Sequence, residues 1–245
     1  MKIESVEGIV LSETNYSESS KILHVLTKQY GKIGILSKGC RSLKSKLRGV
    51  SRKLIYGVFH IYYKENGLST LIGVDIKNSF RKVMMDLTKI GYASYLTELV
   101  DQVLKQSDDE TIYDTFVAAL LKMEEGFAPN ILTNIVELKM LDCLGVRPMI
   151  DGCAYCGDEK HIVTLSSSAG GLVCMNCHSN EKIVDSKVIQ LIRMLYYVDI
   201  AKISKLNLPE SIVRELDCFI DDYYDRYTGL YLKSKQFLRK LSKIG

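Results

Sequence analysis

The sequence predicts an α+β chain in two parts: a small closed β barrel over residues 1–80, then a helical domain over 81–245 with a cysteine-bearing insert at about 150–180. Three observations lead there. The first eighty residues show period-two patterning, β-branched enrichment and frequent turn residues. From Arg81 onward the apolar spacing lengthens to a helical period, and two Cys-x-x-Cys pairs interrupt it.

Five strands are expected in the first part: Ser5–Leu11, Lys21–Thr27, Lys32–Ser37, Leu54–Lys64 and Leu68–Asn78. Gly31, Gly39 and Asn66-Gly67 supply the turn signals, the last read as a two-residue hairpin turn because Asn and Gly tolerate positive φ. The fourth strand divides into two faces, with Ile55, Gly57, Phe59, Ile61 and Tyr63 on one and Leu54, Tyr56, Val58, His60, Tyr62 and Lys64 on the other. Closure is expected because it removes the edges a short sheet would leave open.

In the second part Val83, Leu87, Ile90, Leu96, Leu99 and Val103 are spaced for one buried stripe. Asp108-Asp109-Glu110 places negative charge at the start of a second helix that runs to Glu125 and stops at Gly126. Asn130–Leu144 forms a third, bracketed by Pro129 and by Gly145 with Pro148. Ser186 is read as the cap of a helix to about Val198, Pro209 opens another that reaches Tyr227, and a last one covers Lys233–Lys243.

Charge is distributed unevenly along this frame. Between Ser19 and Lys64 there are eleven lysines and arginines and no aspartate or glutamate. Residues 1–80 carry 13 basic and 6 acidic side chains, a net +7, whereas the whole chain is +4 and the remainder therefore −3. A basic module on an otherwise slightly acidic chain suits a polyanion, because phosphate contact releases condensed counterions; the plainer reading is a solubilising face. The densest part is Lys38, Arg41, Lys44, Lys46, Arg48, Arg52 and Lys53, interspersed with Gly39, Ser42, Ser45, Gly49 and Ser51. It joins the third and fourth strands and reads as a mobile cationic loop that contacts phosphates without selecting a base sequence. Tyr16, Tyr30, Tyr56, Tyr62 and Tyr63 offer rings for stacking bases, or simple strand packing.

Cys153-Ala-Tyr-Cys156 and Cys174-Met-Asn-Cys177 are separated by seventeen residues, a spacing that suits a tetrahedral zinc site. Four thiolates leave no open coordination position, so the expected metal is structural. Replacement of one cysteine by His178, a redox dithiol and four free thiols are the alternatives. Cys40, Cys143 and Cys218 read as plain thiols. The chain has only four histidines and lacks the phosphate-binding Gly-x-x-x-x-Gly-Lys-Ser/Thr loop, His-Glu-x-x-His and Gly-x-Ser-x-Gly, so no enzyme is predicted. Asp221, Asp222 and Asp225 read as a solvated helix face. No apolar run of the roughly 18 residues that cross a bilayer is found, nor an apolar block after Met1, which predicts a cytoplasmic protein without membrane contact.

Several segments together resemble the RecO family of bacterial recombinational repair proteins. They are Glu7-Gly-Ile-Val-Leu11, Tyr16-Ser-Glu-Ser-Ser-Lys21, Leu26-Thr27 with Tyr30-Gly31-Lys32, Ser37-Lys-Gly-Cys-Arg41, Glu137–Leu144 with Gly145 and Pro148 ahead of Cys153, and Leu232-Lys-Ser-Lys-Gln-Phe-Leu238. The resemblance implies an oligonucleotide-binding (OB-fold) barrel followed by an all-α helical domain with a four-cysteine zinc insert. It implies a mediator that binds single- and double-stranded DNA, anneals complementary strands, and works with RecR and often RecF to load RecA onto strands covered by single-stranded-DNA-binding protein, whose C-terminal tail it docks. By matched position it implies Lys38 and Arg41 as DNA contacts and Cys153, Cys156, Cys174 and Cys177 as zinc ligands. Lys44, Lys46, Arg48, Arg52 and Lys53 rest on charge alone. A zinc-containing nucleic-acid enzyme such as a nuclease, and an RNA-binding module, are the competing readings.

Overall fold

The computed structural model describes residues 2–206, 208–235 and 238. The expected last helix, Lys233–Lys243, falls largely outside them. The chain divides into two compact units, one of residues 1–90 with 108–120 and one of residues 91–107 with 121–245.

The first unit is built on strands β1 (Lys2–Tyr16), β2 (Ser20–Thr27), β3 (Gly31–Ser37), β4 (Tyr56–Tyr63) and β5 (Ser69–Asn78). The ring runs β1-β2-β3-β5-β4 and returns to β1. Strand β1 serves both sides, pairing with β2 from Gly8↔Thr27 to Tyr16↔Ser20 and with β4 from Lys2↔Tyr63 to Ile9↔Tyr56. Alternate residues turn inward to one apolar core of Val6, Val10, Leu23, Val25, Ile35, Ile55, Phe59, Ile61 and Leu71. Gly57 on β4 faces the backbone of β5: a Cβ there would sit 2.3 Å from the Asp75 carbonyl oxygen. Gly57→Ala is accordingly expected to lower stability by about 1–3 kcal/mol in chemical denaturation, the usual cost of overpacking.

The fold class expected from the sequence, an OB-fold barrel followed by an all-α domain, does not stand as stated. Strands β3 and β5 are joined only through the parallel pairs Ile35↔Ser69 and Leu36↔Thr70, a thin seam beside the long antiparallel ladders. The region after residue 80 is not all-α either. It contains a three-stranded sheet, β6 (Met149–Cys153), β7 (Ile162–Ser166) and β8 (Gly171–Cys174), in the order β6-β8-β7. Strands of four or five residues, two of them ending in cysteines, are too short to register as a period in the sequence. The Asn66-Gly67 turn is also longer than expected: five residues separate β4 from β5, with Gly67 at φ 121° and the Lys64 amide donating to Ser69 Oγ at 3.2 Å.

Helices α1 (Arg81–Met84), α2 (Leu87–Val103), α3 (Thr111–Glu125), α4 (Pro129–Cys143), α5 (Ser186–Tyr197) and α6 (Glu210–Tyr227) complete the chain. The N-cap of α5 is Asp185, not Ser186; its carboxylate accepts from the Lys187 amide at 2.9 Å. Helix α4 is buried almost all round, from Ile131 to Leu141, and carries the core of the second unit. No helix among the described residues is long and apolar enough to cross a membrane.

Candidate nucleic-acid interface and metal centre

The basic segment between β3 and β4 is a chain of tight turns folded onto the barrel. The amides of Ser42, Ser45, Arg48 and Ser51 donate back to the carbonyls of Gly39, Ser42, Ser45 and Leu47, at 3.1–3.2 Å. Leu47 and Val50 pack against the barrel core, Cys40 and Leu54 are buried, and the buried hydroxyls of Ser37 and Ser51 share a 2.7 Å hydrogen bond. Leu54, buried at φ 63°, turns the chain into β4, and its amide donates to the Val10 carbonyl at 2.9 Å. The mobile loop expected from its small residues is therefore anchored at both ends and in the middle. Glycine and serine here serve turn geometry, and the interleaved apolar residues serve as pegs.

This scaffold sends the cations outward. Lys38, Arg41, Lys44, Lys46, Arg48 and Arg52 are exposed, and Lys53 is half-buried. The Arg41 amide donates to the Ser19 carbonyl at 2.8 Å and its guanidinium to the Ser17 carbonyl at 3.4 Å, fixing the start of the segment against the β1–β2 turn. Lys21 and Lys28 are committed to ion pairs within this unit. Lys21 meets Glu13 at 2.8 Å and donates to the Ser51 carbonyl at 3.2 Å, and Lys28 meets Asp114 at 3.3 Å.

The tyrosines separate by role. Tyr56 is core: its hydroxyl donates to Glu7 at 2.6 Å, and burial with that carboxylate pushes its pKa up to about 12. Tyr30 and Tyr63 stack on each other, centroids 4.4 Å apart. Tyr16 and Tyr62 keep exposed rings. The sequence offered no way to divide the five, since all lie in or beside strands.

The four cysteines converge. Cys153 ends β6 and Cys174 ends β8, while Cys156 and Cys177 lie on the turns that follow, closed by Gly157 N–H to Cys153 O at 2.8 Å and Cys177 N–H to Cys174 O at 3.2 Å. All four Sγ atoms lie within 4.8 Å of one another. Thiolates at about 2.3 Å from a tetrahedral zinc stand about 3.8 Å apart, so the set fits one metal. Cys156 and Cys174 are 3.6 Å apart, far outside disulfide bonding at about 2.05 Å. Burial disfavours the Cys153 thiolate, but N–H donors of Cys174, Cys156 and Tyr155 outweigh it and bring the thiol down to about 6. Cys177, crowded by the sulfurs of Cys156 and Cys174 and by burial, is pushed up to about 12, a clash that a shared cation would relieve. His178 is turned away, with Nε2 2.6 Å from the Glu181 carbonyl oxygen. At Gly171 a Cβ would sit 2.2 Å from the Met149 carbonyl, so only glycine lets β8 approach β6 this closely.

A family model described as recombination protein O N terminal matches residues 1–80, and one described as recombination protein O C terminal matches residues 84–236. This chain belongs to the RecO family. Proteins named DNA repair protein RecO are similar to it over nearly their whole length. That of Listeria monocytogenes serotype 4b is 34% identical over 245 residues, covering 98% of this chain and 96% of the relative. Those of Bacillus pumilus and Shouchella clausii are each 33% identical, covering 97% and 99% of this chain and 94% and 96% of the relatives. As a RecO chain it combines a cationic surface on the first unit with a four-cysteine metal-compatible site in the second.

The sequence reading missed one constellation. Asp221 and Asp222, read there as solvated, are engaged: Asp222 accepts from the Ser167 hydroxyl and from Arg226 at 3.0 Å, and Asp221 meets Lys235 at 2.6 Å beside the buried Glu137. A carboxylate in the middle of the apolar run Ile131–Leu141 was the available signal.

Proposed function

We propose that this chain is a DNA repair and recombination mediator that turns over no substrate. It binds single- and double-stranded DNA through Lys38, Arg41, Lys44, Lys46, Arg48, Arg52 and Lys53. It anneals complementary strands and, with RecR and RecF, helps load RecA onto strands coated with single-stranded-DNA-binding protein, whose C-terminal tail it docks in the bacterial cytoplasm. The carrying observation is a run of exposed cations held on a pegged scaffold with no acidic residue from Ser19 to Lys64. Cations at the phosphates lower repulsion between two strands and leave the base edges free to pair, which is what annealing needs. In this reading residues 1–80 form the nucleic-acid-binding part. Residues 81–245 form the helical part, and Cys153, Cys156, Cys174 and Cys177 hold a structural Zn²⁺ that keeps the insert at about 150–180 folded. The ion would supply cohesion, because a full set of thiolates leaves no position for a reacting water.

The test is annealing of complementary strands coated with single-stranded-DNA-binding protein, either intact or with its tail deleted. The expected result is fast annealing of the intact coat and slow annealing of the deleted one. Absence of annealing with naked strands as well would overturn the reading, and tighter binding to RNA than to single-stranded DNA of equal length would favour the RNA-binding module.

A further inference from the structure

Within the second unit, the start of the C-terminal segment is held by charges that the DNA-handling reading leaves unused. Both oxygens of Glu98 on α2 accept from this segment, from the Lys233 amide at 3.0 Å and the Ser234 amide at 2.8 Å, and the Ser234 hydroxyl adds a third donor. Leu232 is buried beside them. Lys235 then places its ammonium 2.6 Å from Asp221 on α6 and 3.8 Å from Glu137 on α4, with its Nζ 5.3 Å from the Tyr224 ring centroid and 6.0 Å from that of Tyr95. The other sides of the box are hydrogen-bonded. The Tyr95 hydroxyl donates to Glu137, the Tyr224 hydroxyl donates to the Glu137 backbone carbonyl at 2.8 Å, and Asn134 donates to Asp217 at 2.6 Å. A cavity of about 170 Å³ adjoins the box, lined among others by Tyr92, Asn130, Thr133 and Lys235. Thr133 is 4% exposed, and its hydroxyl has no hydrogen-bond partner among the described residues.

We propose that Leu232–Lys235 form a releasable latch, in which the chain's own ammonium fills an acidic, aromatic box whose opening leaves a receptor for a primary ammonium group. Carboxylates and ring faces together select a cation, and removing one partner of a buried pair leaves the other charge uncompensated. Among the described residues the segment is also fastened by the half-buried carboxylate of Glu98 and by buried Leu232, and Lys235 is the charged contact that closes the box.

Proton uptake loosens the latch. Burial pushes Glu137 up to about 7, while the Lys235 ammonium and the Tyr95 hydroxyl pull it back and Asp221 and Asp217 add to the rise. Asp217 is raised by burial against the pull of Asn134, and Glu98 is lowered because the Ser234 and Lys233 donors outweigh its burial. Arg214 lies near Asp217, and Tyr92 and Tyr95 on α2 stay protonated, both raised first by burial. Ionised Glu137 attracts Lys235 and protonated Glu137 does not. The latch therefore tightens as pH rises through about 7 and slackens as it falls. The intrinsic contribution of Glu137 to folding has the opposite sign: a carboxyl raised in the folded state stabilises most below its unfolded value and loses that contribution as pH rises through the folded one.

Hydrogen exchange of the full chain tests the latch. In Lys235→Met the Lys233 and Ser234 amides should exchange at least about tenfold faster while the amides of α4 and α6 keep their protection. Between about pH 8 and about pH 6, after correction for intrinsic rates, wild-type protection at these two amides should fall, and Glu137→Gln should remove that dependence. Lys235→Ala should bind n-butylammonium but not n-butanol by calorimetry. Should Lys235→Met unfold the unit, the double variant Lys235→Met with Glu137→Gln removes both charges together and should fold with a loose segment. Wild-type protection of Lys233 and Ser234 in a folded Lys235 variant would overturn the latch, and equal binding of butanol and butylammonium would overturn the receptor.

Discussion

Replacing Lys38, Arg41, Lys44, Lys46 and Arg48 together with alanine is expected to weaken single-stranded DNA binding on the order of 1,000-fold near 0.1–0.2 M salt and to abolish annealing. The magnitude follows from counterion release: each lost phosphate contact lowers the salt slope by about 0.7 on a single strand, so five contacts lower it by about 3.5. The slope of log affinity against log salt is the more diagnostic reading, because a misfolded variant would lose affinity without a graded change in slope. The fold should survive. All five side chains are exposed, and the segment is pinned by Leu47, Val50, Ser51, Cys40 and Leu54, which stay in place. Surface substitutions away from such anchors usually change stability by no more than about 0.5 kcal/mol. Binding and annealing that match the wild type in this variant would remove the segment from the interface.

Loss of the metal is expected to be the largest structural effect. The insert has little core of its own: its buried cluster is Cys153, Val173 and Cys174, packed by Ile162, Ala169 and Cys177, so half of the residues that hold it together are ligands. A structural zinc supplies an apparent binding free energy of about 10–16 kcal/mol at pH 7, far more than so small an apolar cluster contributes. Cys174→Ser or a strong chelator should therefore release one metal per chain, seen by native mass spectrometry, and remove hydrogen-exchange protection across β6–β8. The insert should remain tethered at its ends. Arg193 on α5 donates to the carbonyls of Ile150 and Asp151 at 3.0 and 2.9 Å, and Lys182 pairs with Glu215 on α6 at 2.6 Å. DNA affinity should change less than about twofold if the cations of the first unit carry it. Retention of the metal and of protection in Cys174→Ser would contradict a four-thiolate site. A coloured preparation would point to iron in the same ligands.

The strands of the first unit were legible because each is long enough to show alternation on a half-buried surface, as Phe59 and Ile61 do against His60 and Tyr62 in β4. The cysteine quartet was legible because ligand spacing is local. Three things were not. The anchoring of Lys38–Lys53 depends on where Leu47 and Val50 land relative to the Val25 and Phe59 core, and a run of serine, glycine and lysine carries no sign of it. The β6–β8 sheet is too short to leave a period. The box around Lys235 joins Tyr95, Glu137 and Asp221 from three helices, and each looked ordinary in its own segment.

What the sequence by itself determined is local: the five strands of the first unit and the main helices after them, the acid-free run of cations, and two Cys-x-x-Cys pairs spaced for one metal. These depend on residues near one another in the chain, where alternation, turn chemistry and ligand spacing act directly. Only the tertiary structure decided that the cationic segment is a pegged surface, that the helical part holds a second sheet, and that a buried carboxyl receives the ammonium of Lys235. Those outcomes rest on contacts between distant segments. Their stability comes from burial and desolvation, and no window of sequence contains both partners.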